Sequence, residues 1–161
     1  MIAYYVFSQL GVFLKVIAPG SIRLSAVVSA PFIRALGDDV TVRGTMLSSP
    51  EGQVEVHYGC DALEPIVYFS AAIVAFPASW RRRLIGLALG VPMLFVLNIS
   101  RIVSLYFVQT RRPDWFEAAH LDIWQPLFIV ATLGLWFTWV MLLPKPRAPE
   151  TKPAPSSPRA P

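Results

Sequence analysis

Cysteine and histidine are scarce in this chain: 161 residues hold one cysteine, Cys60, and two histidines, His57 and His120. A single cysteine excludes an intramolecular disulfide, so the thiol is either a buried filler or a reactive group. With no Cys/His cluster a structural zinc site is excluded as well, and neither metal nor cofactor is expected. Charge is also sparse. Only 15% of the residues are charged while 55% are apolar, too little charged surface for a water-soluble domain of this size. The net charge of +4 is not gathered on one face. It falls in short clusters beside apolar runs, which is how membrane proteins use basic residues and not how nucleic-acid binders do. The composition therefore predicts an all-α integral membrane protein, a polytopic helix bundle in a lipid bilayer, with no nucleic-acid partner.

Four apolar stretches carry that expectation: Ile2 to about Ala18, Ala62 to Ala78, Leu84 to Val108 and Leu121 to Leu143. A helix needs roughly 20 apolar residues to cross the hydrocarbon core. The third and fourth stretches have them, and the second has them only with its flanks. The first is broken by Gln9 and Lys15, so residues 1–20 read as a short or incomplete first membrane helix. No Lys or Arg precedes that run, which makes it a poor secretory signal. Residues 21–37 mix apolar runs with Arg23 and Arg34, as an interfacial helix does. Val40 and Val42, then Val54, Val56 and Tyr58, alternate with polar residues around Ser48-Ser49-Pro50-Glu51-Gly52. That pattern predicts a small extracytoplasmic β-hairpin, because an open sheet edge cannot face lipid. Residues 21–59 thus form an interfacial helix plus hairpin, and 60–143 a three-helix transmembrane core that carries any catalytic site. Residues 144–161 form a Pro-rich, disordered cytoplasmic tail.

Charge sets the orientation. Arg81, Arg82, Arg83, Lys145, Arg147, Lys152 and Arg159 flank the inner ends of the helices with one acid, Glu150, among them. Asp38, Asp39, Glu51, Glu55, Asp114 and Glu117 lie on the opposite side. The positive-inside rule places the arginine cluster and the tail in the cytoplasm, and Cys60 and His120 on the outer face. Polar residues converge there. Cys60 and Asp61 open the second helix, with Glu64 one turn further on. Asn98 and Arg101 share a face near the outer end of the third. His120 precedes the fourth, with Asp122 and Trp124 just after it.

Each residue has a plain reading when taken singly. Cys60 packs, His120 is interfacial, and Arg101 snorkels to lipid phosphate. Their arrival at one depth is what points to chemistry. A charge inside an apolar helix costs roughly 2.5–3.5 kcal/mol on insertion scales, so Arg101 should face the bundle with a partner, Glu64 or Asp61. A helix N-terminus and a nearby cation favour the thiolate that a cysteine nucleophile needs. Cys60 would then attack a peptide carbonyl while Arg101 donates hydrogen bonds to the oxyanion. His120 would protonate the leaving amine and activate the incoming nucleophile. Asn98 would orient Arg101. His57 is the rival base, but it lies opposite in phase to Val56 along the strand pattern.

The segments Gly59-Cys60-Asp61-Ala62-Leu63-Glu64 and Asn98-Ile99-Ser100-Arg101-Ile102-Val103-Ser104-Leu105, then His120 before Trp124-Gln125, resemble the exosortase/archaeosortase family. The Phe76-Pro77-Ala78-Ser79-Trp80-Arg81-Arg82-Arg83 link and the small size resemble its short bacterial branch, exosortase H. The likeness covers roughly residues 40 to 143. It implies a multi-pass protein of a bacterial inner (plasma) membrane with a Cys60, Arg101, His120 site facing the periplasm or exterior. It also implies a cysteine transpeptidase or protease that cleaves the C-terminal sorting signals of exported, membrane-anchored proteins through a thioester. Such a signal is a short motif, a transmembrane helix and a basic cluster. The acceptor that resolves the thioester is left open: water, or an amine or hydroxyl nucleophile. Glu64, Asp61, Asn98 and Trp124 would support the site. Asp61 departs from the small or amide residue common after the family's cysteine, and a carboxylate there opposes the thiolate unless Arg101 pairs with it. The alternatives are a non-catalytic membrane scaffold, with an Arg101–Glu64 pair tying helices together, and a small transporter. The transporter lacks a polar route inward, since Leu84 to Leu97 contains no ionisable residue.

Overall fold

The computed structural model describes residues 18–50, 52–56 and 62–143. The first apolar stretch up to residue 17, the tail from 144, and His57, Cys60 and Asp61 lie outside the described residues. The protein is mostly helical, with a small sheet. Helix α1 spans Ala18–Ala35, and strands β1, β2 and β3 span Thr41–Arg43, Met46–Ser49 and Gly52–Glu55. Helices α2, α3 and α4 span Leu63–Ala75, Trp80–Arg111 and Gln125–Met141. Residues 113–124 lead into α4 as an unbroken series of 3₁₀, α and π turns.

Among the described residues two helices are long and apolar enough to cross a membrane: Trp80–Arg111 and the continuous Pro113–Met141. At 1.5 Å per residue α3 is about 48 Å long, well beyond a hydrocarbon core of about 30 Å. Helix α4 fully buries only Phe128 and Trp139. It exposes Ile129, Val130, Leu133 and Phe137, an apolar surface that lipid covers. The expected three-helix core is modified at α2, a 13-residue apolar helix of about 20 Å. Pro77 ends it early. The residue before a proline is pushed out of the α region, and Phe76 is extended at φ −74°, ψ 139°. The reversal is then locked: Arg83 Nη2 donates to the Phe76 carbonyl at 3.0 Å, and Trp139 Nε1 to the Arg82 carbonyl at 3.1 Å. The Phe76 ring stands edge-on to Trp136 and Trp139.

The core is in two parts strung along α3. Near the arginine end, Phe69 and Ile73 of α2, Leu94 of α3 and Trp139 of α4 pack together. Glycines on α3 permit the approach: a Cβ on Gly90 would overlap the Phe69 ring, and one on Gly86 the Trp139 indole. Small residues at such crossings are the usual membrane solution. At the far end, Ile22, Ala26, Ala30 and Ile33 of α1 meet Val40, Leu47 and Val56 of the sheet region and Ile102 and Tyr106 of α3. The buried α1 residues recur every three or four positions, as one helical stripe requires. Leu24, Val27 and Phe32 of α1 and Leu36 just beyond it remain exposed.

The expected hairpin is instead a three-stranded antiparallel sheet in the order β1-β2-β3. Thr41, Val42 and Arg43 pair with Ser48, Leu47 and Met46, and β2 pairs in turn with β3. Gly44 at φ 67° opens a two-residue turn of the kind that favours glycine first, so the chain reverses at 44–45 before Ser48 and Ser49. Ser48 and Ser49 end β2, and a second reversal joins Ser49 to Gly52 within the segment expected to turn. The sheet is tied to α3 by Tyr106, whose hydroxyl donates to Ser49 Oγ at 2.7 Å, and by an Arg111–Asp38 ion pair at 3.5 Å.

Candidate active site

Arg101 lies 18 residues beyond Arg83 on α3, about 27 Å along the axis. That is close to the full hydrocarbon thickness of about 30 Å. Arg101 and the Arg81–Arg83 cluster are therefore separated along α3 by nearly one hydrocarbon thickness. It is 7% exposed, its guanidinium lies 5.6 Å from the centre of the Phe128 ring, and its backbone carbonyl accepts from Ser104 Oγ at 2.9 Å. A buried guanidinium over an aromatic face gains a cation–π attraction that grows as water is removed.

His120 comes from the π-helical segment Ala119–Trp124. Such wide turns inside α-helices are frequent at functional sites. The imidazole is edge-on to Phe116 at 5.6 Å. Arg101 and His120 both wall a cavity of about 560 Å³, together with Ala62, Glu64, Pro65 and Tyr68 from the start of α2 and Gln125, Phe128, Ile129, Thr132 and Leu133 from α4. Ile129 and Leu133 are exposed, so the α4 wall continues into the surface that faces lipid. Among the described residues no group of three or more His, Cys, Asp or Glu could hold a metal ion.

At Ala62 the backbone is left-handed, with φ 58° and ψ 1°. A non-glycine residue adopts that shape at a cost of roughly 1–2 kcal/mol, and such strain persists where surrounding structure holds it. It turns the chain sharply into α2 at the wall of the cavity.

The other expected residues fall around this pair. Glu64 lines the cavity, but no ion pair joins it to Arg101 among the described residues; the aromatic partner of Arg101 is Phe128. Asn98 is fully buried one turn before Arg101 and does not line the cavity. Trp124 is half-buried and its ring is not part of the wall, which Gln125 provides instead. Cys60, Asp61 and His57 lie outside the described residues. Tyr68, Phe128 and Thr132 were not singled out from the sequence. Their signal was there in the spacing: Glu64 and Tyr68 are i, i+4 on α2, and Gln125, Phe128 and Thr132 are i, i+3, i+7 on α4, each set a single helix face.

A family model described as transmembrane exosortase (Exosortase_EpsH) matches residues 1–143, all of the chain except the Pro-rich tail. The chain belongs to the transmembrane exosortase family. In this exosortase the match spans both candidate membrane helices, the sheet and the cavity-lining residues, and it agrees with the likeness to the short exosortase H branch. No curated protein and no solved structure matches the chain.

Proposed function

We propose that this exosortase is a membrane-embedded cysteine transpeptidase or protease acting on exported proteins that carry a C-terminal sorting helix. Cys60 is the nucleophile, Arg101 the oxyanion donor and His120 the general acid and base. The observation that carries the reading is the sharing of one cavity by Arg101, His120 and Ala62. Cys60 stands two residues before Ala62 in the sequence, which supports its assignment to the same site.

The chemistry follows in two halves. The Cys60 thiol gives its proton to His120 and, as the thiolate, attacks the scissile carbonyl carbon, and the negative charge that develops on the carbonyl oxygen is met by the Arg101 guanidinium. The C–N bond breaks, the amine leaves with a proton from His120, and a thioester remains on Cys60. The neutral imidazole then takes a proton from the incoming acceptor, whose oxygen or nitrogen displaces the thiolate. Water as acceptor gives proteolysis, and an amine or hydroxyl gives transfer. The exposed Ile129 and Leu133 edge supports lateral delivery of a substrate anchored by its own helix. The active site faces the periplasm or exterior in this reading, on the side opposite the basic residues. A non-catalytic scaffold is the second reading, and the cavity that Arg101 and His120 share supports it less.

The test is processing of a co-expressed membrane protein that ends in a helix and a basic cluster. Arg101→Gln and His120→Gln should each slow cleavage at least about 100-fold with the variants still present in the membrane at normal level. Undiminished cleavage in both would remove the reading.

A further inference from the structure

A second cavity, of about 640 Å³, opens at the other end of the molecule between α3 and α4. Its walls are apolar: Leu89 and Met93 on α3, Leu135 and Leu142 on α4. Its floor is closed where Phe69 and Trp139 fill the space over Gly90 and Gly86. Among the described residues its charged lining residues are Arg81 and Arg82, beside Ser79 at the mouth. Ser79 caps α3 without a side-chain hydrogen bond, so its hydroxyl is not committed to the helix.

We infer that this groove binds an anionic phospholipid, with an acyl chain along α3 and α4 and the phosphate held by Arg81 and Arg82. Three features fit that occupant. From Arg82 to Met93 the groove runs about 17 Å along α3, close to the depth of one leaflet, about 15 Å. Guanidinium groups match phosphate oxygens in paired hydrogen bonds, and basic pockets between membrane helices on the cytoplasmic side hold anionic headgroups. Leu89 and Met93 are 70% and 61% exposed, so the groove is open along its length to lipid. Another transmembrane helix fits less well, because its cytoplasmic end would bring its own Lys and Arg against Arg81 and Arg82. The site is independent of the proposed peptide chemistry, which lies nearly one hydrocarbon thickness away along α3.

Native mass spectrometry of the full chain, released from vesicles of mixed phosphatidylglycerol and phosphatidylcholine, tests this. The wild type should retain one phosphatidylglycerol per chain, preferred over phosphatidylcholine by roughly 30-fold, the value expected for two basic residues near the surface. Arg81→Gln with Arg82→Gln should abolish the preference. Leu89→Trp, which narrows the groove from an exposed position and keeps both arginines, should lower retention of either lipid at least tenfold. Retention unchanged by Leu89→Trp would overturn the inference, because the lipid would then be held at a basic rim and not in the groove. So would a lipid-free dimer that dissociates on the same substitution, which would assign the groove to a second copy of the chain.

Discussion

At the scale of single residues, the energetics of the site turn on a cation kept out of water. Arg101 is nearly buried and meets the Phe128 ring, so the aromatic face both neutralises part of its cost and fixes its direction. A desolvated cation–π contact contributes about 2 kcal/mol. Phe128→Leu keeps the bulk and removes the ring, and it should slow substrate cleavage about 10-fold or more while leaving the protein in the membrane. Cleavage at the wild-type rate in that variant would mean that Arg101 is positioned by other contacts. Away from the cavity, Tyr106→Phe deletes the hydrogen bond to Ser49 and should cost about 1 kcal/mol, read as a lower thermal unfolding midpoint with unchanged cleavage. The sequence marks Arg101 because an arginine among Ile102, Val103 and Leu105 is anomalous in an apolar helix. It does not mark Phe128, one aromatic in a stretch rich in them, whose importance comes only from the crossing of α3 and α4. Nor does it decide between Glu64 and other partners for the guanidinium, since helix spacing fixes a face and not a distance.

At the scale of elements, helix length and helix contact were legible to different degrees. The two long apolar stretches become the two candidate spans because length and hydropathy alone decide that property. The second stretch contains as many apolar residues as a marginal span, yet α2 stops at Ala75 because Pro77 constrains the residue before it. The sheet was half legible. Valine alternation marks strands and the turn before Gly52 was legible, but the earlier reversal at Gly44, which adds a third strand, shows only in its φ. Close packing is the property that belongs most to elements. Gly90→Val places methyl groups where the Phe69 ring lies, and overpacking of this kind costs about 1–3 kcal/mol. The variant should unfold at lower temperature in detergent, whereas Gly134→Ala, where a Cβ meets nothing within 4 Å, should not.

At the scale of the whole molecule, the chain is a pair of long helices with two caps. One end is closed by the Phe76–Arg83 reversal and the aromatic cluster around Trp136 and Trp139. The other end is built up by α1 and the sheet against the last turns of α3. The cavity walled by Arg101 and His120 lies toward the second cap, and the groove beside Arg81 and Arg82 toward the first. Orientation rests on the basic residues of the inner loop and tail. In a Cys60→Ala background, a cysteine at Asp114 should react with a membrane-impermeant maleimide applied to the outside of spheroplasts. A cysteine at Ser156 should react only after the membrane is opened. The reverse pattern would invert the topology and put the cavity in the cytoplasm.

The most direct test is replacement of the lone thiol. With Cys60→Ala, a co-expressed substrate bearing a C-terminal helix and basic cluster should keep its full size while the variant accumulates in the membrane at the wild-type level. Cleavage that continues unchanged would contradict the account, for the cavity would then hold Arg101 and His120 without the nucleophile they are proposed to serve.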